Sequence, residues 1–420
     1  MTLQTSPFGA FGTTLGIAAD LLAGLGCVQA AVGAVLVWRF ARAGFRRSAP
    51  ATRAATQAAT QAWPAVTVLK PLHGDEPLLE QALASACSQD YPEFQIVFGV
   101  QDPADPAIAL VHRLQARFPG LALDLVIDPT PHGANRKIGN LINMLPAARH
   151  DVLVVSDSDI HSEPDYLRRV ADALSRPGVG LVTTLYGGRP ATGTLSRRLA
   201  AAQVNHNFLP GVLMSRLLGR QDCLGATMAL RRETLEAIGG LERLSPHIAD
   251  DSALGQAVRA IGQSIAIAGS LTRTTISDLG LRDMVRHELR WGRTVRSVEP
   301  LGYALSAIQL PLFWACLAVL LAPAALWSWS MLALVWAWRV ATTRTIDQVV
   351  GRESPLPVLL LPLRDWVSAA VMVGSFAGRR VDWRGHVLDL PQRGQIGRSA
   401  PPPGTASEPV KTLAMPEPVD

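Results

Sequence analysis

The stretch "VLVVSDSDIHSEPDY", residues 152–166, joins an apolar strand pattern to two closely spaced carboxylates. Four β-favouring residues precede Ser156, and Asp157 and Asp159 follow two positions apart. Asp and Ser often end strands because their side chains bond nearby backbone groups, so one interpretation is a turn. The other interpretation is a metal site, because carboxylate oxygens suit Mg²⁺ and Mn²⁺. This stretch alone leaves both open.

Strand patterns alternate with helix patterns from residue 65 to residue 159. The strand-like runs are "AVTVLKPL", "FQIVFGVQD", "LALDLVID" and "DVLVVSDSD", and the helix-like runs are "EPLLEQALASACSQ", "PAIALVHRLQARF" and "NRKIGNLINMLPAA". Such alternation predicts an α/β fold with a mostly parallel sheet and helices on both faces. Ligands of these sheets bind outside the carboxyl ends of the strands, where Asp102 and Asp157 both fall. That position favours a nucleotide or metal site over a turn.

The composition excludes several classes of protein. The chain has 420 residues, of which 48% are hydrophobic and 17% charged, and its mean hydropathy is +0.20. These values predict a soluble domain with attached membrane segments. The four cysteines are scattered without a CxxC motif, which argues against a disulfide framework. The net charge of +5 is mild and spread out, so a bilayer surface is a better predicted partner than nucleic acid.

An apolar segment near the N-terminus, residues 15–38, contains one charged residue, Asp20, and is long enough to cross a bilayer. A signal peptide is the alternative. No basic residue precedes the segment, however, and "RFARAGFRR" follows it directly, which reverses the order found in signal peptides. We therefore predict a transmembrane helix at 15–38 and a basic linker at 39–64. The positive-inside rule places the rest of the domain in the cytosol.

The C-terminal third is apolar again, with no charged residue in 303–338. Because one crossing needs only about 20 residues, we predict two spans in 301–341. Residues 355–378 include Arg364 and Asp365, which disfavour a simple span, so this segment is predicted to be membrane-embedded or interfacial. The remaining predicted segments are a cytoplasmic "WRG" segment, 379–396, and a disordered tail, 397–420.

Four motifs follow one another between the apolar segments. They are "FGVQDPADPA" with Asp102, "SDSDI" with Asp157 and Asp159, "HIADDSALG" with Asp250 and Asp251, and "RHELRWGRTVR" with Arg290 and Trp291. Each has a plainer interpretation: a Pro-rich turn, a turn, a helix N-cap and an interfacial anchor, respectively. In this order, however, they resemble the processive and lipid-directed inverting glycosyltransferases of the GT-A fold.

Further segments narrow the resemblance. "LKPLHGDEP", "VQDPADPAI", "NRKIGNLINM", "VGLVTTLY" and "WRGHVLDL" are similar to the ceramide glucosyltransferase family. Residues 66–300 are most similar to its bacterial branch, the hopanoid-biosynthesis-associated glycosyltransferases. The resemblance implies a cytoplasmic GT-A (Rossmann-like) nucleotide-sugar-binding domain at 65–300, with N- and C-terminal transmembrane helices. One position departs from the family pattern, because His287 stands where Gln or Arg is expected.

The resemblance also implies roles for eight residues. A divalent cation, Mg²⁺ or Mn²⁺, is expected on Asp157 and Asp159, and Asp251 is expected to be the catalytic base. The donor is expected to contact Pro71, Asp102, Lys137, Asp157, Arg290 and Trp291. For Lys137, which follows Arg136, a solvated surface pair is the alternative. Arg290 suits a diphosphate because its planar guanidinium binds oxygens bidentately.

The implied activity is that of a UDP-sugar-dependent hexosyltransferase in the bacterial inner membrane, multi-pass and with a cytoplasmic catalytic domain. It would transfer a hexose or N-acetylhexosamine, from UDP-glucose or UDP-N-acetylglucosamine, to a lipid hydroxyl. The expected acceptor is a hopanoid polyol such as bacteriohopanetetrol, in hopanoid biosynthesis. Ceramide is the alternative, and a polysaccharide synthase or an inactive membrane scaffold is less favoured.

Overall fold

The computed structural model describes residues 7–47, 63–351, 355–378, 380–383 and 386–389. The strands in this part of the chain are β1 (Val66–Pro71), β2 (Phe94–Val100), β3 (Ala122–Ile127), β4 (Val152–Ser156), β5 (Ile160–His161), β6 (Val179–Pro190), β7 (Thr227–Arg231), β8 (Ser264–Ile276), β9 (Arg380–Trp383) and β10 (His386–Asp389). Eight of them form one sheet in the order β3-β2-β1-β4-β7-β6-β8-β5, and β9 pairs with β10.

Helices flank the sheet and also form the apolar segments towards the two ends of the chain. Those described are α1 (Pro7–Arg47), α2 (Leu79–Cys87), α3 (Ala107–Arg117), α4 (Arg136–Met144), α5 (Tyr166–Leu174), α6 (Leu195–Gln203), α7 (Leu209–Leu217), α8 (Arg232–Ala237), α9 (Asp250–Ala260), α10 (Leu281–Val298), α11 (Pro300–Leu305), α12 (Pro311–Leu321), α13 (Leu326–Val350) and α14 (Leu361–Phe376). A π-helical turn, Val204–Phe208, joins α6 to α7.

The central strands are buried on both faces. In β4, Val152 and Val154 pack into a core with α2, α3 and α5, whereas Leu153 and Val155 pack into a second core with α4, α8 and α9. Alternate strand residues point to opposite faces, so a strand covered on both sides is apolar throughout. Burial of each such side chain contributes about 1.5–3 kcal/mol. The predicted α/β class is therefore confirmed.

Half of the sheet is parallel, and this half positions the site. β1 pairs in parallel with β2 and β4, and β2 pairs in parallel with β3. The carboxyl ends of β1, β2 and β4 therefore lie at one edge, and Pro71, Asp102 and Asp157 lie there with them. The other half is mixed, because β7 is antiparallel to both β4 and β6, while β6 is parallel to β8.

Two described helices are long and apolar enough to cross a membrane, at Phe11–Gly44 and Val358–Phe376. A third candidate is Pro300–Leu321, if its two halves, bent by 69°, form one span. α13 continues to Val350, beyond the region predicted as 301–341. The number of spans in 301–341 stays a prediction.

The N-terminal helix is longer than the predicted segment 15–38. α1 continues to Arg47, so residues 39–47 of the predicted linker are helical, because Ala and Arg are strong helix formers. Near its C-terminal end α1 touches the sheet: a Cβ on Gly44 would lie 2.9 Å from the carbonyl oxygen of Gly269 in β8. Residues 48–62 of the predicted linker, part of 379–396 and all of 397–420 lie outside the described residues.

Buried ion pairs explain how charged residues fit into α14. Arg364 binds both carboxylate oxygens of Glu288 on α10, at 2.8 and 2.7 Å. Oδ2 of Asp365 accepts a hydrogen bond from the backbone N–H of Leu312 at 3.0 Å, and Oδ1 lies 3.6 Å from Arg339 on α13. The charges that disfavoured a simple span in 355–378 therefore face other helices, as charged residues in membrane helices usually do.

Candidate active site

A cleft of about 1700 Å³ extends from the carboxyl edge of the sheet to the apolar helices. All eight residues singled out from the sequence line it: Pro71, Asp102, Lys137, Asp157, Asp159, Asp251, Arg290 and Trp291. Small-molecule sites usually measure about 300–1,000 Å³. The cleft therefore has room for two substrates at once.

Lys137 connects two of the acidic motifs. It lies in the first turn of α4, which Asn135 caps by accepting a hydrogen bond from the backbone N–H of Ile138. Its Nζ atom lies 2.7 Å from Oδ1 of Asp157 and 3.5 Å from Oδ2 of Asp250. Burial opposes the charge, but the two carboxylates outweigh it and raise the pKa of Lys137 above its usual value. With its side chain only 18% exposed, Lys137 is not the solvated lysine of the alternative interpretation.

Lys70 is a buried lysine beside the Asp157 motif that the sequence analysis did not single out as a site residue. It lies in β1, is 1% exposed, and donates hydrogen bonds to Oγ of Ser156 at 3.1 Å and to the carbonyl oxygen of Asp157 at 2.8 Å. Burial lowers the pKa of Lys70 to about 8, although Asp159 and Asp157 oppose this shift. The available signal was a lysine inside an otherwise apolar strand, "VTVLKP".

Asp157 and Asp159 offer two carboxylate groups as ligands for a divalent cation. Thr274 of β8 donates a hydrogen bond to the carboxylate of Asp159. Burial, and then repulsion from Asp157, raises the pKa of Asp159 to about 7. Two neighbouring carboxylates are a donor set that a hard divalent cation stabilises, and such a cation would also favour the charged form of Asp159, so these residues fit one. Among the described residues, no group of three or more His, Cys, Asp or Glu forms a larger ligand set.

Asp251 has the environment of a general base. α9 begins at Asp250, so Asp250 and Asp251 lie in its first turn, where acids favour the helix dipole, and Ala249 occupies the N-cap position. Oδ1 of Asp251 accepts a hydrogen bond from the backbone N–H of Ser252 at 2.7 Å. Burial, and then repulsion from Asp250, raises the pKa of Asp251 to about 6. A carboxylate with a pKa near neutrality is well suited to taking up a proton.

Asp102 lies in a turn and also lines the cleft. Its Oδ1 atom accepts a hydrogen bond from the backbone N–H of Ala104 at 2.9 Å, as in the turn interpretation. A second cavity of about 430 Å³ adjoins this point. Its lining includes Gln101, Asp102, His132, Gly133 and Arg136. Pro71 lies at the end of the neighbouring strand β1.

Arg290 and Trp291 reach the cleft from α10. Trp291 also packs into an apolar cluster that α6, α12, α13 and α14 share, so it combines an anchoring position with a position in the cleft. The ring centroid of His287 lies 4.6 Å from that of Trp291, edge to face. Nδ1 of His287 lies 3.3 Å from Oδ1 of Asp278. His287, the residue that departs from the family pattern, therefore packs against Trp291 and also lines the cleft.

Comparison with known proteins relates the chain to one family. The family model Glycosyl transferase family 21 matches residues 19–396. Ceramide glucosyltransferase 1 of Caenorhabditis elegans is 27% identical over 210 residues, which cover 49% of this chain and 44% of that protein. Ceramide glucosyltransferase of Komagataella phaffii is 33% identical over 115 residues, or 26% of this chain and 23% of that protein. The matches span less than half the length of these relatives.

A solved structure was also matched: the mannosyltransferase PcManGT from Pyrobaculum calidifontis, in complex with GDP-Man and Mn²⁺. It covers 84% of this chain and 99% of its own, with 19% identity and a TM-score of 0.48. The family match confirms the predicted relationship to the ceramide glucosyltransferases. The described residues contain the predicted mixed α/β domain and apolar helices towards both ends of the chain.

Proposed function

The chain belongs to glycosyl transferase family 21, and on that premise we propose that it transfers a hexose or N-acetylhexosamine from a UDP-sugar to the hydroxyl group of a membrane lipid. The cleft is the observation that carries this proposal. At one end it holds the charged groups Lys137, Asp157 and Asp251, and at the other it is lined by apolar helices. An anionic donor and an apolar acceptor can meet in such a cleft.

The donor would occupy the sheet edge. The cavity beside Asp102 offers space for the uridine, and Pro71 lines the neighbouring wall. Lys137 and Arg290 supply positive charge for the diphosphate, with Arg290 able to bind two oxygens at once. Trp291 offers an apolar ring face to the sugar or the acceptor. UDP-glucose and UDP-N-acetylglucosamine are the proposed donors.

Asp157 and Asp159 would hold a divalent cation, Mg²⁺ or Mn²⁺. When bound, such a cation acts as a Lewis acid that stabilises the charge growing on the diphosphate. Mg²⁺ is often held by one or two carboxylates together with phosphate oxygens and waters, so a site with two carboxylates is sufficient. Oδ1 of Asp157 already lies 2.7 Å from Nζ of Lys137, which orients this carboxylate.

Asp251 would act as the catalytic base. Its carboxylate takes the proton of the acceptor hydroxyl while the hydroxyl oxygen attacks the anomeric carbon. The bond between that carbon and the UDP oxygen breaks, and UDP leaves with the electron pair. A single displacement of this kind inverts the configuration, so an α-linked donor yields a β-linked glycolipid.

Two acceptors are proposed. A hopanoid polyol such as bacteriohopanetetrol follows from the similarity of residues 66–300 to the bacterial branch of the family. Ceramide is the second candidate, because the curated relatives carry the name ceramide glucosyltransferase. On the proposed topology α1 crosses the bacterial inner membrane and the sheet domain lies in the cytosol.

Lipid mass spectrometry tests the activity. The full chain in bacterial membranes is supplied with UDP-glucose or UDP-N-acetylglucosamine, with bacteriohopanetetrol or ceramide as acceptor. We expect one sugar on one lipid, and the same product to be missing from a deletion strain and restored by complementation. Long glycan chains would instead indicate a polysaccharide synthase, and no sugar transfer would indicate an inactive scaffold.

A further inference from the structure

The cleft continues from the charged residues into a passage between apolar helices. We call this part the acceptor passage, and define it by Leu25, Val28, Gln29 and Val32 of α1, Val212 of α7, and Ile308 in the turn before α12, all of which line the cleft. Five of these six side chains are apolar. Gln29 is the one polar side chain among these six.

The passage opens sideways along α1. Leu25, Val28 and Val32 are spaced so that they form one stripe of the helix. They are 51%, 60% and 37% exposed, although they line the cleft. Because α1 is long and apolar enough to cross a membrane, these exposed side chains would face lipid rather than water. A lipid can thus enter the cleft without leaving the bilayer.

Gln29 lies on the side of α1 that faces the protein. Gly26 and Gly33, one turn before and after it, are points of close helix contact. A Cβ on Gly26 would lie 2.5 Å from the carbonyl oxygen of Ile308, and one on Gly33 would lie 2.6 Å from Cβ of Pro210. These contacts hold Gln29 against the passage, because residues at such spacing share one helix face.

The amide oxygen of Gln29 is buried and has no hydrogen-bond partner among the described residues. A buried polar atom without a partner is unfavourable, and most unfavourable within a membrane. Such atoms are usually satisfied by a ligand, an ion or a water. The other five side chains that define the passage are apolar, and the nearby Gln309 also lines the cleft, so a donor group carried by an amphipathic ligand fits this position.

We propose that Gln29 binds the acceptor lipid: its amide oxygen accepts a hydrogen bond from a hydroxyl or amide N–H of the lipid, whose apolar body fills the acceptor passage. This inference rests on the proposed function and adds to it the class of acceptor. The lipid carries at least two hydrogen-bond donors, one that is glycosylated and one that binds Gln29. A hopanoid polyol and a ceramide both meet this condition.

The test uses the full chain in detergent with Gln29→Met, which keeps the length of the side chain and removes the amide. The KM for bacteriohopanetetrol, the KM for ceramide and the affinity for UDP are measured. Loss of one neutral hydrogen bond should raise the KM for the glycosylated lipid about five- to tenfold and leave the affinity for UDP unchanged.

A second variant tests the passage itself. Val28→Trp should fill it and lower lipid glycosylation at least about tenfold, with the affinity for UDP unchanged. Val35→Trp is the matched control, because Val35 is a 52% exposed residue of α1 outside the cleft lining, and it should behave as the wild type.

Several results would overturn the inference. An unchanged lipid KM in Gln29→Met, or an equal loss of UDP binding and transfer, would make Gln29 a structural residue only. Wild-type transfer by Val28→Trp would exclude the passage as the acceptor route. A wild-type chain that binds UDP but glycosylates neither lipid would contradict the proposed function, and the role of Gln29 with it.

Discussion

Arg364 of α14 and Glu288 of α10 form a bidentate ion pair, with N–O distances of 2.8 and 2.7 Å. Their side chains are 2% and 9% exposed. Glu288 lines the cleft and precedes Arg290 by two residues on the same helix. The pair therefore fixes the C-terminal apolar helix to the helix that carries two proposed donor-binding residues.

Removal of one member of this pair should destabilise the chain strongly. Arg364→Met or Glu288→Met leaves a buried charge without its partner, which costs about 3–5 kcal/mol, whereas the double variant should recover part of this loss. Thermal unfolding in detergent measures the effect. Glu80→Ala is the control, because its pair with Arg113 is 51% and 60% exposed and should contribute less than about 1 kcal/mol. A double variant no more stable than either single variant would contradict the expectation.

Asp251→Asn should abolish most of the transfer activity. Loss of a general base typically slows a reaction about 10²–10⁴-fold. The affinity for UDP should stay unchanged, which separates a chemical from a binding defect. Asp151→Asn is the matched control, because this carboxylate is 94% exposed and lies outside the cleft lining. Unchanged transfer by Asp251→Asn would exclude it as the base.

Sugar transfer should depend on pH with an inflection near pH 6. Burial, and then repulsion from Asp250, raises the pKa of Asp251 to about 6, and only the deprotonated carboxylate can take a proton. The rate should therefore fall about tenfold per pH unit below the inflection and level off above it. The profile is measured as kcat/KM for the acceptor, because this ratio reports the pKa of the group before the acceptor binds. An inflection near pH 4, the usual range of aspartate, would show that burial does not shift this group.

Chelation of divalent cations should stop the reaction. EDTA should remove activity, and Mn²⁺ or Mg²⁺ should restore it. Asp157→Asn and Asp159→Asn should each raise the half-saturating Mn²⁺ concentration by about 10–100-fold or more, since even outer-sphere changes have effects of that size. Asp124→Asn, in β3 and paired with Arg149 outside the cleft lining, is the control. Full activity in EDTA would disprove the proposed cation.

The parallel half of the sheet could be predicted from sequence because its signals are local. Apolar runs separated by amphipathic helices imply parallel strands, and parallel strands bring their carboxyl ends together. That reasoning alone placed Asp102 and Asp157 at one edge. The order of motifs then added Asp251, Arg290 and Trp291, all of which line the same cleft.

The remaining interactions join positions far apart in the chain, and no local pattern reports them. His206 binds Asp347 at 2.7 Å across 141 positions, and Glu288 binds Arg364 across 76. Hydropathy is calculated for one segment without the helices that pack against it. Arg364 therefore disfavoured a membrane span in the sequence analysis, although its counter-charge, Glu288, lies on another helix. Lys70 differs from these, since its position inside an apolar strand was a local signal.

α1 has a consequence for which lipids can react. Its 41 residues extend about 60 Å at 1.5 Å per residue, twice the roughly 30 Å of a bilayer core. The same uninterrupted helix passes the acceptor passage at Gln29 and reaches the sheet at Gly44. On the proposed topology the carboxylates proposed to act in catalysis would therefore be held at a constant height above the membrane surface. Under the proposed function, only lipids that present a hydroxyl at that height would be glycosylated, so depth in the bilayer would select the substrate before any pocket does.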